Sequence, residues 1–241
     1  MQDNCLIELH SHLLPQMDDG SDSVEMSLAM LHREMEQGVG TICATPHFYA
    51  HQNSIETFCK RRAAALEKLL AAVPDGLPRI IPAAEVAFFS GIGEYPSVER
   101  LCIQGTRILM LEMPFTEWND FQIGEVSTLV LDRGFHVVLV HPERFCFSGS
   151  NRWQLRRLVQ LPIGLQINTS SLIHWGTRHL ALELLELAPY PLLGSDCHNL
   201  TSRPPNLKEG RAVVQKKLGE GFLKQMDQNA EDALRGLEWS I

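Results

Sequence analysis

The chain has 241 residues, 44% of them hydrophobic, and a formal net charge of −8. That size and apolar content suit one globular unit with a sizeable core. No stretch approaches the ~18 consecutive apolar residues of a membrane span, no basic-then-apolar leader opens the chain, and no Lys/Arg stripe marks a nucleic-acid surface. Membrane insertion, export and nucleic-acid partners are therefore disfavoured, and a cytoplasmic location is expected. The six cysteines are scattered without CxxC spacing and read as reduced, mostly buried thiols.

In chain order, residues 5–9 read as a buried strand that delivers His10 and His12 to one side, because side chains alternate along a strand. Asp18 and Asp19 follow in a turn closed by Gly20. Asp22 or Ser23 caps a helix with Val24, Leu28, Leu31 and Met35 on its buried face, ending at Gly38. A second strand spans 41–47 and a helix 54–73, before Pro74-Asp75-Gly76 breaks it. Strands three and four cover 80–86 and 107–113, and a helix runs from 120 to 133. Strand five, 136–141, leads into Pro142-Glu143-Arg144; strands six and seven cover 164–168 and 191–196. Helices near 151–160, 177–187 and 207–218, and over the last twenty residues, complete the pattern. The alternation predicts an α/β fold with a parallel sheet: a distorted TIM-like (β/α)7 barrel, as a single domain over residues 1–241.

His10/His12, His47, Glu85, Glu112, His141 and Asp196/His198 each fall at the C-terminal end of a separate apolar run. In a (β/α) barrel those ends converge on one face. Six strands ending in metal-ligand residue types predict a multinuclear metal site there. Imidazole plus carboxylate without thiolate suits Mn²⁺, Fe²⁺ or Zn²⁺ and does not choose among them. His32, His51, His136 and His179 read as surface or packing histidines, Glu143 as a turn residue or a support behind the ligands, and Arg61-Arg62 and Lys216-Lys217 as solvated helix faces.

The ordered motifs HSHLLPQMDDG, ATPH, AAEV, LEMP, HPER and SDCHN followed by RPP resemble the PHP (polymerase and histidinol phosphatase) superfamily. Within it they are most similar to the manganese-dependent protein-tyrosine phosphatases of bacterial capsule and exopolysaccharide operons. The resemblance implies three divalent ions, manganese foremost with iron or zinc open, held by His10, His12, Asp19, His47, Glu85, Glu112, His141, Asp196 and His198. Asp19 is preferred over Asp18 because the family's ligand immediately precedes the glycine. Arg144 and Arg203 match the pair that handles phosphate. The implied reaction is phosphotyrosine hydrolysis by direct attack of a metal-held hydroxide. The implied substrate is a phosphotyrosine protein, a bacterial tyrosine kinase of polysaccharide export, with oligomeric state left open. The alternative is a PHP phosphoesterase for a small metabolite such as histidinol phosphate. Phe48, His174 and the segment 145–151 depart from the family pattern and bear on the pocket wall. Phe48, Tyr49, Phe115, Phe145 and Trp175 lie near the same loops, where each ring could stack on a substrate phenyl group or equally staple its loop.

Overall fold

A computed structural model describes residues 5–236. Its strands are β1 (Leu6–Ser11), β2 (Val39–Ala44), β3 (His47–Phe48), β4 (Arg79–Pro82), β5 (Glu85–Ala87), β6 (Ile108–Glu112), β7 (His136–Val140), β8 (Gly164–Asn168) and β9 (Tyr190–Gly194). Its α-helices are α1 (Val24–Glu36), α2 (Ile55–Leu70), α3 (Asp120–Ser127), α4 (Gly149–Leu158), α5 (Thr169–Ile173), α6 (Trp175–Leu187), α7 (Leu207–Leu218) and α8 (Glu220–Arg235).

Every pairing is parallel, in two sheets ordered β1-β2-β4 and β3-β5-β6-β7-β8-β9. The strand expected over 41–47 is β2 and β3 interrupted at Thr45-Pro46, and that over 80–86 is β4 and β5 interrupted at Ala83-Ala84. Pro46 and Pro82 have no N–H to give to a ladder, and the ladder between these two segments is interrupted there, β2 pairing with β4 before the break and β3 with β5 after it. All seven expected strands are present in the expected order, but they do not form one unbroken ladder. The sheets meet at the two interruptions and at a bridge between Ser11 and Cys197. Beside it, Asp196 N donates to His10 O at 2.9 Å and His12 N to Cys197 O at 2.9 Å.

Alternation along the strands sorts the core. Leu109, Leu111, Val137, Leu139, Leu165 and Ile167 pack under the helices. Ile108, Met110, Val138, Val140, Ile81 and Leu192 form a second cluster, into which α8 inserts Ala230 and Ala233. Continuing the inner columns Ile81-Ala83 and Ile108-Met110 by two residues reaches Glu85 and Glu112. The inner side is therefore apolar where the strands begin and polar where they end.

Helices α1 to α4 begin at side-chain caps: Ser23 accepts from Met26 N for α1, and Asn119 and Gln122 form a reciprocal capping box for α3. The buried face of α1 differs from expectation. Ser27, Met30, Leu31 and Glu34 are buried and Met35 is exposed. The helix is turned by polar contacts that hydrophobic spacing does not register: Ser27 Oγ donates to Leu13 O at 2.6 Å, and Cys197 Sγ lies 3.6 Å from Glu34. Arg62 also departs from the solvated reading, donating to the carbonyls of Ala83 (2.7 Å) and Arg100 (2.9 Å). The helix expected over the last twenty residues is α8, beginning earlier at Glu220; residues 237–241 lie outside the described range. Among the described residues no helix is long and apolar enough to cross a membrane. The cysteines are free, Cys43, Cys102, Cys146 and Cys197 being buried and Cys5 exposed.

Candidate metal centre

The strand ends bring all nine expected ligands together. Glu85, fully buried at the start of β5, is the hub. Its carboxylate lies 3.2 Å from His10 Nε2, 3.2 Å from His12 Nε2, 3.0 Å from His47 Nδ1 and 2.7 Å from His141 Nε2. Three overlapping groups have ligand atoms close enough to share an ion: His12, Asp19, His47 and His198; His10, His12, Glu85 and Asp196; and His47, Glu85 and Glu112. His141 stands beside the last of these, 3.7 Å from Glu112.

The two aspartates after β1 take different positions. Asp18 is turned inward, accepting from His12 Nδ1 at 2.7 Å, from His47 N at 2.8 Å and from Gly20 N at 3.0 Å. Asp19 faces the cluster from an exposed position, 3.3 Å from His198 Nε2 and 3.5 Å from His47 Nε2. Asp18 orients its neighbours, and Asp19 presents its oxygens to the group.

Hydrogen bonds set the ring nitrogens. His10 Nδ1 meets Gln166 Oε1 at 2.6 Å, His12 Nδ1 meets Asp18, and His198 Nδ1 meets the Asp196 carbonyl at 2.9 Å. Each of these oxygens accepts a hydrogen bond from Nδ1–H, which keeps the proton on Nδ1 and leaves an Nε2 lone pair directed inward. His198 Nε2, Asp196 Oδ1 and His141 Nδ1 are buried with no hydrogen-bond partner among the described residues. Buried unpaired donors and acceptors are costly, and converging imidazole and carboxylate atoms are what a divalent transition ion requires. The donor set fits such ions.

The electrostatics follow from this crowding. Burial resists ionisation of Glu85, but His10, His12 and His141 outweigh it and hold the carboxyl well below the usual range. Asp196 is likewise held low, burial being outweighed by His10 and His12. Burial disfavours the charged form of His10, yet Glu85 and Asp196 raise its pKa. Glu112 is pushed up to about 7 by burial and by the charge of Glu85. His198 drops to about 4 through burial and the proximity of His12.

Two site residues have left-handed backbones without being glycine, His141 with φ 34° and Asp196 with φ 54°. Such conformations cost about 1–3 kcal/mol each. Gly194 permits a close approach, since a Cβ there would meet His10 Cβ at 2.7 Å and Gln166 Nε2 at 2.9 Å.

Both expected arginines reach the rim. Arg203 donates to Asp196 Oδ2 at 2.6 Å and lies 3.8 Å from Asp19; Arg144 lies 3.8 Å from Asp196 Oδ2, its guanidinium 5.2 Å from the Phe115 ring. They form a common wall between two clefts. One, about 470 Å³, is lined by Asp19, His47 and Glu112 together with Tyr49, Phe88 and Phe115. The second, about 610 Å³, is lined by hydroxyl and amide side chains and by His174. Of the loop aromatics, Phe48 is core, packed edge-on against Phe58, and Phe145 is buried against Phe115 and Trp118. Tyr49 and Phe115 line the first cleft; Trp175 is exposed outside it. His32, His51 and His179 are exposed as expected, and His136 is half-buried at the start of β7.

Sequence reasoning missed the contribution of β8, which supplies no ligand. Gln166 Nε2 donates to Asn168 Oδ1 at 3.0 Å, and Asn168 Nδ2 to Asp196 Oδ2 at 2.7 Å. Glu143, buried and pushed up to about 7 by burial, accepts from Asn168 N at 3.0 Å. Two amides two residues apart on a buried strand were the available signal. Gln166→Leu is expected to weaken metal affinity by about 10–100-fold, because His10 loses the acceptor that fixes its tautomer. Competition against a chromophoric chelator measures this; unchanged affinity would reduce Gln166 to a space-filling role.

Residues 6–235 match the capsular polysaccharide synthesis family, CpsB/CapC. The chain is 29% identical to the tyrosine-protein phosphatase YwqE of Bacillus subtilis, over 95% of this chain and 92% of that protein. It is 28% identical to the tyrosine-protein phosphatase CpsB of Streptococcus pneumoniae, over 92% and 94% of the two. Among solved structures, a chain from the crystal structures of YwqE and CpsB, described as unique metal-dependent tyrosine phosphatases, superposes with TM-score 0.84 at 26% identity, covering 98% of this chain and 96% of that one. The phosphotriesterase homology protein of Escherichia coli shares the fold alone, with TM-score 0.55 at 13% identity over 96% of this chain and 99% of that one. With a family match running from β1 to the end of α8, the chain belongs to the CpsB/CapC family of capsular polysaccharide synthesis.

Proposed function

We propose that the chain, acting as one domain, is a metal-dependent protein-tyrosine phosphatase. Its substrate is a phosphotyrosine protein, a tyrosine kinase of capsular or exopolysaccharide export in the cytoplasm. The observation that carries the reading is the pairing of Arg144 and Arg203 at the rim of a nine-donor cluster, beside a cleft walled by Tyr49, Phe88 and Phe115. Names of relatives as distinct as YwqE and CpsB, both tyrosine-protein phosphatases, support it.

The proposed ligands are His10, His12, Asp19, His47, Glu85, Glu112, His141, Asp196 and His198, enough for three divalent ions, with manganese the first candidate. Such ions supply Lewis-acid charge and activate water at neutral pH. The chain's own residues do the rest. Arg144 and Arg203 present planar donor forks to the phosphoryl oxygens and stabilise charge that grows in the transition state. Tyr49, Phe88 and Phe115 offer ring faces and edges to the phenyl group. Gln166 and Asp18 hold His10 and His12 in their working orientation. A phenolate leaves readily, its conjugate acid having a pKa near ~10, and so makes a small demand on a general acid.

The test is phosphate release from a phosphotyrosine peptide and from histidinol phosphate by protein of measured manganese content, with and without chelator. Manganese-dependent turnover of the peptide in clear excess over the alkyl ester is expected. Turnover of the alkyl ester alone would move the substrate to a small metabolite while leaving the metal centre in place.

A further inference from the structure

The second cleft is larger than a single phosphate requires, and its chemistry differs from the first. At about 610 Å³ it is bounded by Arg144 and Arg203, by the hydroxyls of Ser170, Ser171, Thr201 and Ser202, and by His174. Among the described residues that line it the one carboxylate is Asp196, already engaged by Arg203 at 2.6 Å and by Asn168 at 2.7 Å. The first cleft is instead lined by Asp19 and Glu112 alongside three aromatic rings. On a chain with net charge −8, the second cleft is thus a local concentration of cationic and hydroxyl donors with its single anion neutralised. A phosphoryl group gripped by both arginines sits on their shared wall. The ring it is attached to occupies the aromatic side, and the donor-rich side then faces the residues that flank the phosphotyrosine.

We infer that this second cleft binds an anionic side chain, a carboxylate or a further phosphate, close to the phosphotyrosine in the substrate chain. The inference rests on the phosphatase reading above. His174 is the residue that tunes it. It stands between α5 and α6, exposed, and makes its helix-end hydrogen bonds through backbone atoms only: His174 N donates to Ser170 O at 3.0 Å and Arg178 N to His174 O at 3.0 Å. Its side chain can be exchanged without uncapping either helix.

The experiment compares kcat/KM of the manganese-loaded protein for phosphotyrosine peptides whose flanking positions carry alanine, glutamate or a second phosphotyrosine, in wild type, His174→Glu and His174→Lys. A contact of this exposure is worth up to a factor of about five. Wild type is expected to favour the anionic peptides by about two- to fivefold, mostly through KM. His174→Glu should erase the preference and His174→Lys enlarge it, read as the ratio of each anionic peptide to the alanine peptide within the same variant. Opposite effects from the two substitutions exclude a general loss of folding. Binding of phosphonate analogues of the same peptides, followed through the fluorescence of the neighbouring Trp175, gives the ranking without turnover. If only the doubly phosphorylated peptide gains, the cleft takes phosphate; if both anionic peptides gain, it takes either anion. Equal kcat/KM for all three peptides in wild type overturns the inference while the phosphatase stands. No turnover of any peptide by the loaded protein overturns the phosphatase reading itself.

Discussion

Glu85→Gln is expected to empty the centre and lower turnover of a phosphotyrosine peptide by at least ~10³-fold, the loss of several kcal/mol of transition-state stabilisation. The carboxylate is fully buried and within 3.2 Å of four imidazoles, so no neighbour can move in to replace its oxygens. It belongs to two of the three candidate ion groups, and its removal breaks both at once. The amide keeps the volume of the side chain but not its charge. Metal content of the purified variant, read with its near-ultraviolet circular dichroism, separates loss of ions from loss of fold. Full metal content with normal turnover would show that Glu85 merely balances the histidines.

Arg144→Ala should lower kcat/KM by about 10²–10³-fold, as removal of one preorganised donor does in other active sites, while metal content stays that of wild type. Arg144 is 40% exposed on its side chain and 3.8 Å from the nearest carboxylate. Its truncation therefore disturbs no buried pair. Arg144→Lys should recover little, because a point charge lacks the two-pronged fork. Arg203→Ala is a less clean probe, since Arg203 also holds Asp196 at 2.6 Å. A change within about twofold for Arg144→Ala would leave that guanidinium a rim residue stacked on Phe115.

Much of this was legible because two periodicities carry it. Apolar runs of four to six residues marked every strand, and the polar residue ending each run marked the site. β8, from Gly164 to Asn168, was read with its observed bounds. What periodicity could not show was where a strand is interrupted. Thr45-Pro46 and Ala83-Ala84 look like strand interior by apolar content, and only the missing proline N–H hints at the break. Hydrophobic spacing also misphased α1, because Ser27 and Glu34 are buried by hydrogen bonds rather than by transfer from water. The same blindness hid Gln166 and Asn168, whose amides touch His10 and Asp196 across distances of 156 and 28 residues. Charge counting misplaced Arg62, whose stem lies along α2 while its head serves two backbone carbonyls. Ligand type is visible in a sequence; the groups that aim the ligands are not.

The left-handed backbones at His141 and Asp196 bear on how such a centre drifts over generations. Histidine and aspartate are among the few side chains that tolerate this conformation, so each position is constrained twice, by its backbone and by its donor atom. Glycine would relieve the backbone but bring no donor, and a β-branched residue would bring neither relief nor ligand. Asparagine at 196 keeps the turn and a neutral oxygen. A lineage released from selection for turnover would therefore be expected to lose its chemistry first through asparagine or glycine at these two positions, while its strands still fold.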